Sequence, residues 1–135
     1  MDNLSEFLFE NKCKRNNEFL AVSDCFKDKD GNTIVWEIRP VTTSEDEAIR
    51  RESMEYNDGK ARLNVSKYAA KITARAVAFP NLFDAKLQDS YNVKTPEALL
   101  MAMVDKPGDY NRLVEFVQRL NGFTSFKEDV DKAKN

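Results

Sequence analysis

Apolar residues recur at helical spacing through the second half of the chain, between residues 68 and 123. A proline cannot continue a helix from its interior, and a helix usually ends at or before the residue that precedes one. The first long helix is therefore expected to stop before Pro80, and two more helices are expected to begin near Pro96 and Pro107. This pattern predicts a bundle of amphipathic helices that pack by their apolar faces.

Capping residues indicate where the later helices begin and end. Asp84 is expected to cap a short helix, and Thr95 followed by Pro96 is an N-cap with proline at the first helical position. Pro107 begins the last strong helix, and Gly122 is expected to end it in the left-handed conformation.

Two segments in the first half of the chain alternate between apolar and polar residues. Strands are predicted over residues 18–27 and 33–41, with Trp36 on the apolar face of the second. Asp30-Gly31 lies between them and is a strong turn signal, because both residues tolerate a positive φ. We therefore expect an antiparallel hairpin.

Other segments of the first half are more polar. An amphipathic helix is predicted over residues 3–11, and a charged helix is predicted over residues 45–54. Ser44 and Glu47 have the spacing of a capping box for the charged helix. The polar residues 57–60 are expected to form a flexible loop.

Together these elements predict an α+β fold, in which an N-terminal antiparallel β-hairpin packs against a bundle of four or five helices. The 135 residues are expected to form a single domain. Residues 1–57 hold the first helix, the hairpin and the charged helix, and residues 61–123 hold the helical bundle. A short third strand is expected over residues 62–65, and residues 124–135 are expected to be a mobile tail.

Composition excludes two classes of partner. The chain has 21 basic and 23 acidic residues, a net charge of −2, so the electrostatic footprint of a nucleic-acid-binding protein is missing. Its longest apolar run is far shorter than the ~20 residues that span a bilayer. The N-terminus is acidic, unlike a signal peptide. We therefore expect a cytosolic protein that binds neither nucleic acid nor membrane.

Residues that carry catalysis or bind metals are scarce. Histidine is absent, which excludes Ser-His-Asp and Cys-His catalysis. Cys13 and Cys25 alone cannot supply the four ligands of a structural zinc site, and they are predicted to be buried or unreactive thiols. Carboxylate clusters lie on polar helix faces or turns, without the apolar surroundings that would raise a pKa. The sequence predicts no enzyme, no cofactor and no metal.

Several aromatic residues lie off the main apolar stripes or next to helix ends. For any one of them, packing against the core from a loop is the commoner role. Together they would form an apolar patch for a helical partner, because large exposed patches usually mark binding sites. The candidate protein-binding residues are Phe83, Tyr91 and Phe116.

Four short segments and their order resemble one protein family. Residues 68–123 as a whole are similar to the XkdN-like tail assembly chaperones of contractile-tailed phages and phage-derived elements. The family commonly has a glycine after the Asp-Ser-Tyr triplet, where this chain has Asn92, which also accepts the left-handed conformation. The segments that carry the resemblance are Phe79-Pro80-Asn81-Leu82, Leu87-Gln88-Asp89-Ser90-Tyr91, Pro107-Gly108-Asp109-Tyr110 and Asn121-Gly122-Phe123.

The resemblance implies a phage tail assembly chaperone without enzymatic activity or a cofactor. Its implied partner is the tape measure protein, a long helical chain that would be kept soluble during tail assembly, and the tail tube protein is a second candidate partner. Such a chaperone is expected in the cytoplasm of the bacterial host and not in the mature virion. The alternative is a structural tail or baseplate protein that is retained in the phage particle.

Overall fold

The computed structural model describes residues 3–123, which form five α-helices and two small antiparallel sheets. The predicted α+β fold is confirmed, with strands preceding most of the helices. The predicted mobile tail, residues 124–135, lies outside the described residues. The elements are β1 (Glu18–Leu20), β2 (Trp36–Ile38), α1 (Thr43–Glu52), β3 (Met54–Asn57), β4 (Lys60–Leu63), α2 (Val65–Ala76), β5 (Val77–Phe79), α3 (Ala85–Ser90), α4 (Pro96–Met103) and α5 (Pro107–Leu120).

Strands β1 and β2 form the predicted antiparallel hairpin, in which Leu20 is the partner of Trp36. The strands are shorter than predicted and pair again only at a bridge between Lys27 and Thr33. The ladder is interrupted at residues 24–25, where Ser23 Oγ accepts a hydrogen bond from the Cys25 N–H at 3.1 Å. A side chain that hydrogen-bonds to the backbone of a nearby residue competes in this way with a strand ladder.

A third strand, β5, follows α2 directly and pairs with the free edge of β2. The prediction that the helix continues to Pro80 was wrong, because α2 ends at Ala76. The Ala76 carbonyl accepts a hydrogen bond from the Arg39 N–H at 2.7 Å, and Val77 then becomes the partner of Ile38. Helical periodicity continues through this segment, but pairing with β2 satisfies the backbone and determines its conformation.

Helix α1 begins two residues before the predicted position, and its capping box is formed by Thr42 and Glu45 instead of Ser44 and Glu47. Thr42 Oγ1 accepts from the Glu45 N–H at 3.1 Å, and Glu45 Oε1 accepts from the Thr42 N–H at 3.0 Å. Both pairs have capping-box spacing. The earlier pair is used because Arg39 also binds the Glu45 carboxylate.

Residues 57–60, predicted as a flexible loop, are the tight turn of a second hairpin formed by β3 and β4. Asp58 has φ 52° and Gly59 has φ 76°, as a two-residue turn with the twist of its strands requires. Strand β4 overlaps the expected third strand at 62–65 but begins two residues earlier and ends at Leu63.

The predicted helix over residues 3–11 is replaced by two short 3₁₀ turns, Leu4–Phe7 and Phe9–Asn11. Its apolar side chains are exposed, Phe7 at 82% and Phe9 at 88%. Because so short a helix is marginal without a packed apolar face, this segment does not form a full α-helix.

The caps of the later helices agree with the predictions. Asp84 accepts from the Leu87 N–H at 2.8 Å, and Thr95 accepts from the Ala98 N–H at 3.1 Å. Gly122, with φ 81°, follows α5 and lies in a Schellman motif, in which the Phe123 N–H donates to the Gln118 carbonyl at 2.8 Å.

Helix α2 lies at the centre of the fold and contacts α1, α4 and α5. The inner face of the three-stranded sheet packs into the same core. Within residues 3–123, no helix is both long and apolar enough to cross a membrane. The side chains with the largest buried volumes include Trp36, Ile38, Ile72, Leu82, Leu99, Leu100, Leu113 and Val117.

Candidate protein-binding surface

Phe83 lies in the loop between β5 and α3 and is 58% exposed. The loop is held from both sides, since the Phe83 N–H donates to Asn81 Oδ1 at 3.0 Å and Gln88 Nε2 donates to the Leu82 carbonyl at 2.8 Å. Leu82 is fully buried and anchors the loop to the core. Its neighbour Phe83 is therefore presented to solvent from a well-fixed backbone.

The Phe83 ring borders a cleft of about 270 Å³ between α1, α2 and the start of α4. The apolar side chains of the cleft include Ile49 and Ala74, both nearly fully buried. The residues that line the cleft are Ile49, Glu52, Lys71, Ala74, Arg75, Phe83, Thr95, Pro96 and Glu97.

The basic side chains of this cleft are paired with carboxylates. Lys71 Nζ lies 3.3 Å from Glu97 Oε1 and 3.8 Å from Glu52 Oε2. Arg75 lies 3.7 Å from Glu45 Oε2. Because these charges are matched within the chain, the cleft favours an apolar side chain with polar neighbours over a strongly charged ligand.

The other two predicted residues are less accessible. Tyr91 ends α3 and Phe116 lies in the middle of α5, and both are half-buried and packed against the core. The structure thus places the three candidates on three different elements, with only Phe83 largely exposed. Their role in protein binding remains a prediction.

The structure also exposes apolar side chains that sequence reasoning did not select. Phe19 and Phe79 are exposed on β1 and β5. Tyr56, which the sequence did place among the aromatic residues off the apolar stripes, is 75% exposed on β3. The alternation in β1 contained the signal for Phe19, because an inward Leu20 places its neighbour on the opposite face. Phe79 was missed because β5 was taken as the end of a helix.

Both cysteines are free thiols, and both are exposed. Of the two alternatives expected, exposure excludes buried thiols, and unreactive thiols stay a prediction. Cys13 follows the 3₁₀ turns, and Cys25 lies in the turn that interrupts the first hairpin.

Glu45 lies within ion-pair distance of two arginines, Arg39 and Arg75. Arg39 donates to its two carboxylate oxygens at 2.6 and 3.2 Å, and this pairing lowers the pKa of Glu45 to about 2. Burial opposes that shift, and the hydrogen bond from the Thr42 backbone adds to it. Glu45 thereby connects the end of β2, the start of α1 and, through Arg75, the last turn of α2.

We expect Glu45→Gln to lower the free energy of unfolding by about 1–2 kcal/mol at pH 7, because the glutamine side chain retains the cap but loses the charge pair, part of which solvent screens. The depressed pKa of Glu45 stabilises the fold fully above its unfolded value of 4.5 and no longer does so below about 2. Urea titrations from pH 7 to pH 2 should therefore show the two proteins converging between pH 4.5 and pH 2. A constant difference across that range would contradict the assignment.

A second polar cluster joins α1 to α2. Tyr68 donates its hydroxyl hydrogen to Asp46, whose other oxygen accepts from Arg50 Nε at 2.9 Å. The Arg50 guanidinium carbon lies 4.6 Å from the centre of the Tyr68 ring. Burial, followed by the bond to Asp46, raises the pKa of Tyr68 far above its ordinary value and so favours the protonated hydroxyl that donates to Asp46.

Comparison with known proteins assigns this fold to a class. The sequence matches the phage XkdN-like tail assembly chaperone family over residues 4–134, and the chain belongs to that family. The expected resemblance is thereby confirmed. It defines the protein as a phage tail assembly chaperone.

Two relatives from Bacillus subtilis (strain 168) support the assignment. The chain is 25% identical to the phage-like element PBSX protein XkdN over 122 residues, which cover 86% of this chain and 82% of that protein. It is 24% identical to the uncharacterized protein YqbN over 119 residues, covering 84% and 80% respectively. The crystal structure of YqbN has the same fold, with a TM-score of 0.81 at 19% identity over 92% of this chain and 99% of that one.

Proposed function

We propose that this chaperone binds the tape measure protein and keeps it soluble until the tail tube assembles around it. Membership of the tail assembly chaperone family over residues 4–134 is the observation that carries the proposal. The chaperone acts by binding alone, in the cytoplasm of the bacterial host, and does not remain in the mature virion.

The chemistry of the surface supports this role. A long helical chain with apolar stripes aggregates while those stripes are uncovered. The chaperone presents exposed aromatic side chains, among them Phe83 at 58% exposure and Phe19 at 64%. Such side chains anchor protein interfaces more often than other residue types do.

Co-expression with the tape measure protein of the same phage tests the proposal. We expect the chaperone to move most of the tape measure protein from the insoluble to the soluble fraction and to co-purify with it. A tape measure protein that stays insoluble, or is equally soluble without the chaperone, would contradict the proposal. Detection of the chaperone in purified particles would favour a structural tail or baseplate protein instead.

The predicted binding residues are tested in the same experiment. Phe83→Ser alters an exposed ring, whereas Tyr91→Ser and Phe116→Ser also remove core contacts and need a thermal unfolding control. Tyr56→Ser is a matched control, because its side chain is exposed on the separate β3–β4 hairpin. If Phe83→Ser loses the soluble tape measure protein and Tyr56→Ser does not, binding is assigned to the cleft beside Phe83.

A further inference from the structure

The outer face of the three-stranded sheet carries a row of side chains that neither the fold nor the family assignment explains. The strand register places Phe19 of β1 opposite Glu37 of β2, and Glu37 opposite Phe79 of β5. Phe19 is 64% exposed and Phe79 is 53% exposed. Val35, two residues before Glu37 and 48% exposed, extends this surface along the chain.

Alternation along the strands separates this row from the core. Trp36 and Ile38 flank Glu37 in sequence and are buried on the inner face, as is Val77 of β5. The outer sheet face, defined as Phe19, Val35, Glu37 and Phe79, is therefore directed away from the core. It presents three apolar side chains around one carboxylate.

The Glu37 carboxylate accepts a hydrogen bond from Asn17 Nδ2 at 2.6 Å, which holds it in place. Within residues 3–123, it forms no ion pair closer than 4 Å. Arg39, the residue directly after β2, is already bonded to Glu45. A fixed negative charge among exposed apolar side chains is complementary to an apolar surface that carries one positive charge.

Two other kinds of occupant fit this face poorly. Addition of a strand at a sheet edge is disfavoured because β1 and β5 have only three residues each, and β5 contains an irregularity and is followed by Pro80. A second copy bound about a two-fold axis near Glu37 would bring two like charges together.

We propose that the outer sheet face binds a helix in which a lysine or arginine lies between two large apolar residues. Neighbouring strands are about 4.8 Å apart, so the rows of Phe19 and Phe79 are separated by roughly 10 Å. Residues i and i+7 of a helix are about 10.5 Å apart along its axis. A helix that crosses the strands thus places apolar residues i and i+7 over the two rings and a basic residue, i+3 or i+4, over Glu37.

This proposal rests on the proposed function, because it identifies the helix as a segment of the tape measure chain. It adds the face that binds and the sequence pattern that is recognised. The pattern belongs to the partner, so it can be tested separately from the activity of the whole assembly.

The first experiment measures recovery of the co-expressed tape measure protein with a Phe19→Thr and Phe79→Thr double variant. Threonine preserves strand propensity while removing both rings. We expect at least a fivefold loss of co-purified tape measure protein and an unchanged thermal unfolding midpoint, with Tyr56→Ser as a matched exposed control. Equal recovery with the double variant and the wild type would overturn the proposal.

The second experiment uses two helical peptides that have leucine at i and i+7 and differ only in lysine or glutamate at i+4. The wild type is expected to bind the lysine peptide about tenfold more tightly, and Glu37→Lys is expected to reverse the preference. Glu37→Gln, which retains the acceptor for Asn17, should abolish the preference. Equal binding of both peptides by the wild type and Glu37→Lys would overturn the charge match.

The two proposals fail in different ways. If the wild type distinguishes the peptides but does not bind the tape measure protein, the proposed function fails and the outer sheet face remains a helix-binding site. If light scattering shows a wild-type dimer that Phe19→Thr and Phe79→Thr dissociate, the face is an interface between copies and the proposed helix site is wrong.

Discussion

Trp36→Ala is expected to lower the free energy of unfolding by about 3–5 kcal/mol, the largest effect of any single substitution considered for this fold. Trp36 is 1% exposed and lies in the central strand of the three-stranded sheet. Its ring packs against Phe26, with the two ring centroids 6.2 Å apart and tilted by 57°. Alanine would leave a cavity where the sheet meets the helices, and the surrounding backbone can only partly collapse into it.

Urea unfolding followed by circular dichroism measures this change without relying on the tryptophan signal. Trp36→Phe should cost less, because it keeps an aromatic ring beside Phe26. Phe19→Ala, on the outer face of the neighbouring strand, should change the free energy of unfolding by at most about 1 kcal/mol. If Trp36→Ala and Phe19→Ala lower the free energy of unfolding by similar amounts, the two faces of the sheet do not differ in burial as the structure indicates.

The helical half of the fold was predictable because its boundaries depend on local chemistry. Asp84, Thr95 and Gly122 each satisfy backbone groups within a few residues of themselves, and the structure places each cap where the sequence predicted it. Asn92 also takes the left-handed conformation, with φ 58°, at the end of α3. Such interactions involve neighbours in sequence and can be inferred without knowledge of tertiary contacts.

Two of the errors occurred where contacts from outside the segment determine its local conformation. Val77 and Phe79 continue the helical periodicity of α2, but the exposed edge of β2 provides backbone partners that make them a strand. The capping box of α1 moved by two residues because Arg39, at the end of β2, binds Glu45. In both cases, the deciding contact joins residues that sequence periodicity does not connect.

The candidate binding residues show the same division: those placed by local signals were predictable, and those placed by strand pairing were not. Phe83 lies three residues after Pro80 and directly before the Asp84 cap, so its position in an exposed loop could be inferred from local signals alone. The outer sheet face depends on the register of three strands, one of which was assigned to a helix. Phe19, Glu37 and Phe79 could not be brought together until β5 was known to pair with β2.

The end of α5 provides the second large expected effect, since Asn121 joins three separate parts of the chain. Its Oδ1 accepts from the Val41 N–H at 2.7 Å and from Arg15 at 3.4 Å, and its Nδ2 donates to the Val117 carbonyl at 2.9 Å. Val41 is 4% exposed, so without Asn121 its N–H would have no ready access to water. A buried donor left without a partner costs about 1–3 kcal/mol.

We therefore expect Asn121→Ala to lower the free energy of unfolding by about 2–3 kcal/mol. Asn121→Asp keeps a charged acceptor for the Val41 N–H and for Arg15 but sets an oxygen in place of the donor to the Val117 carbonyl, at the C-terminal end of α5, so it should cost less than alanine does. Hydrogen exchange of the Val41 amide gives a local measure, with faster exchange expected in the alanine variant and near wild-type protection in the aspartate variant. If the two variants are equally destabilised and equally protected at Val41, the bond between α5 and the β2–α1 connection contributes little, and the position of α5 depends on the packing of Leu113 and Val117 alone.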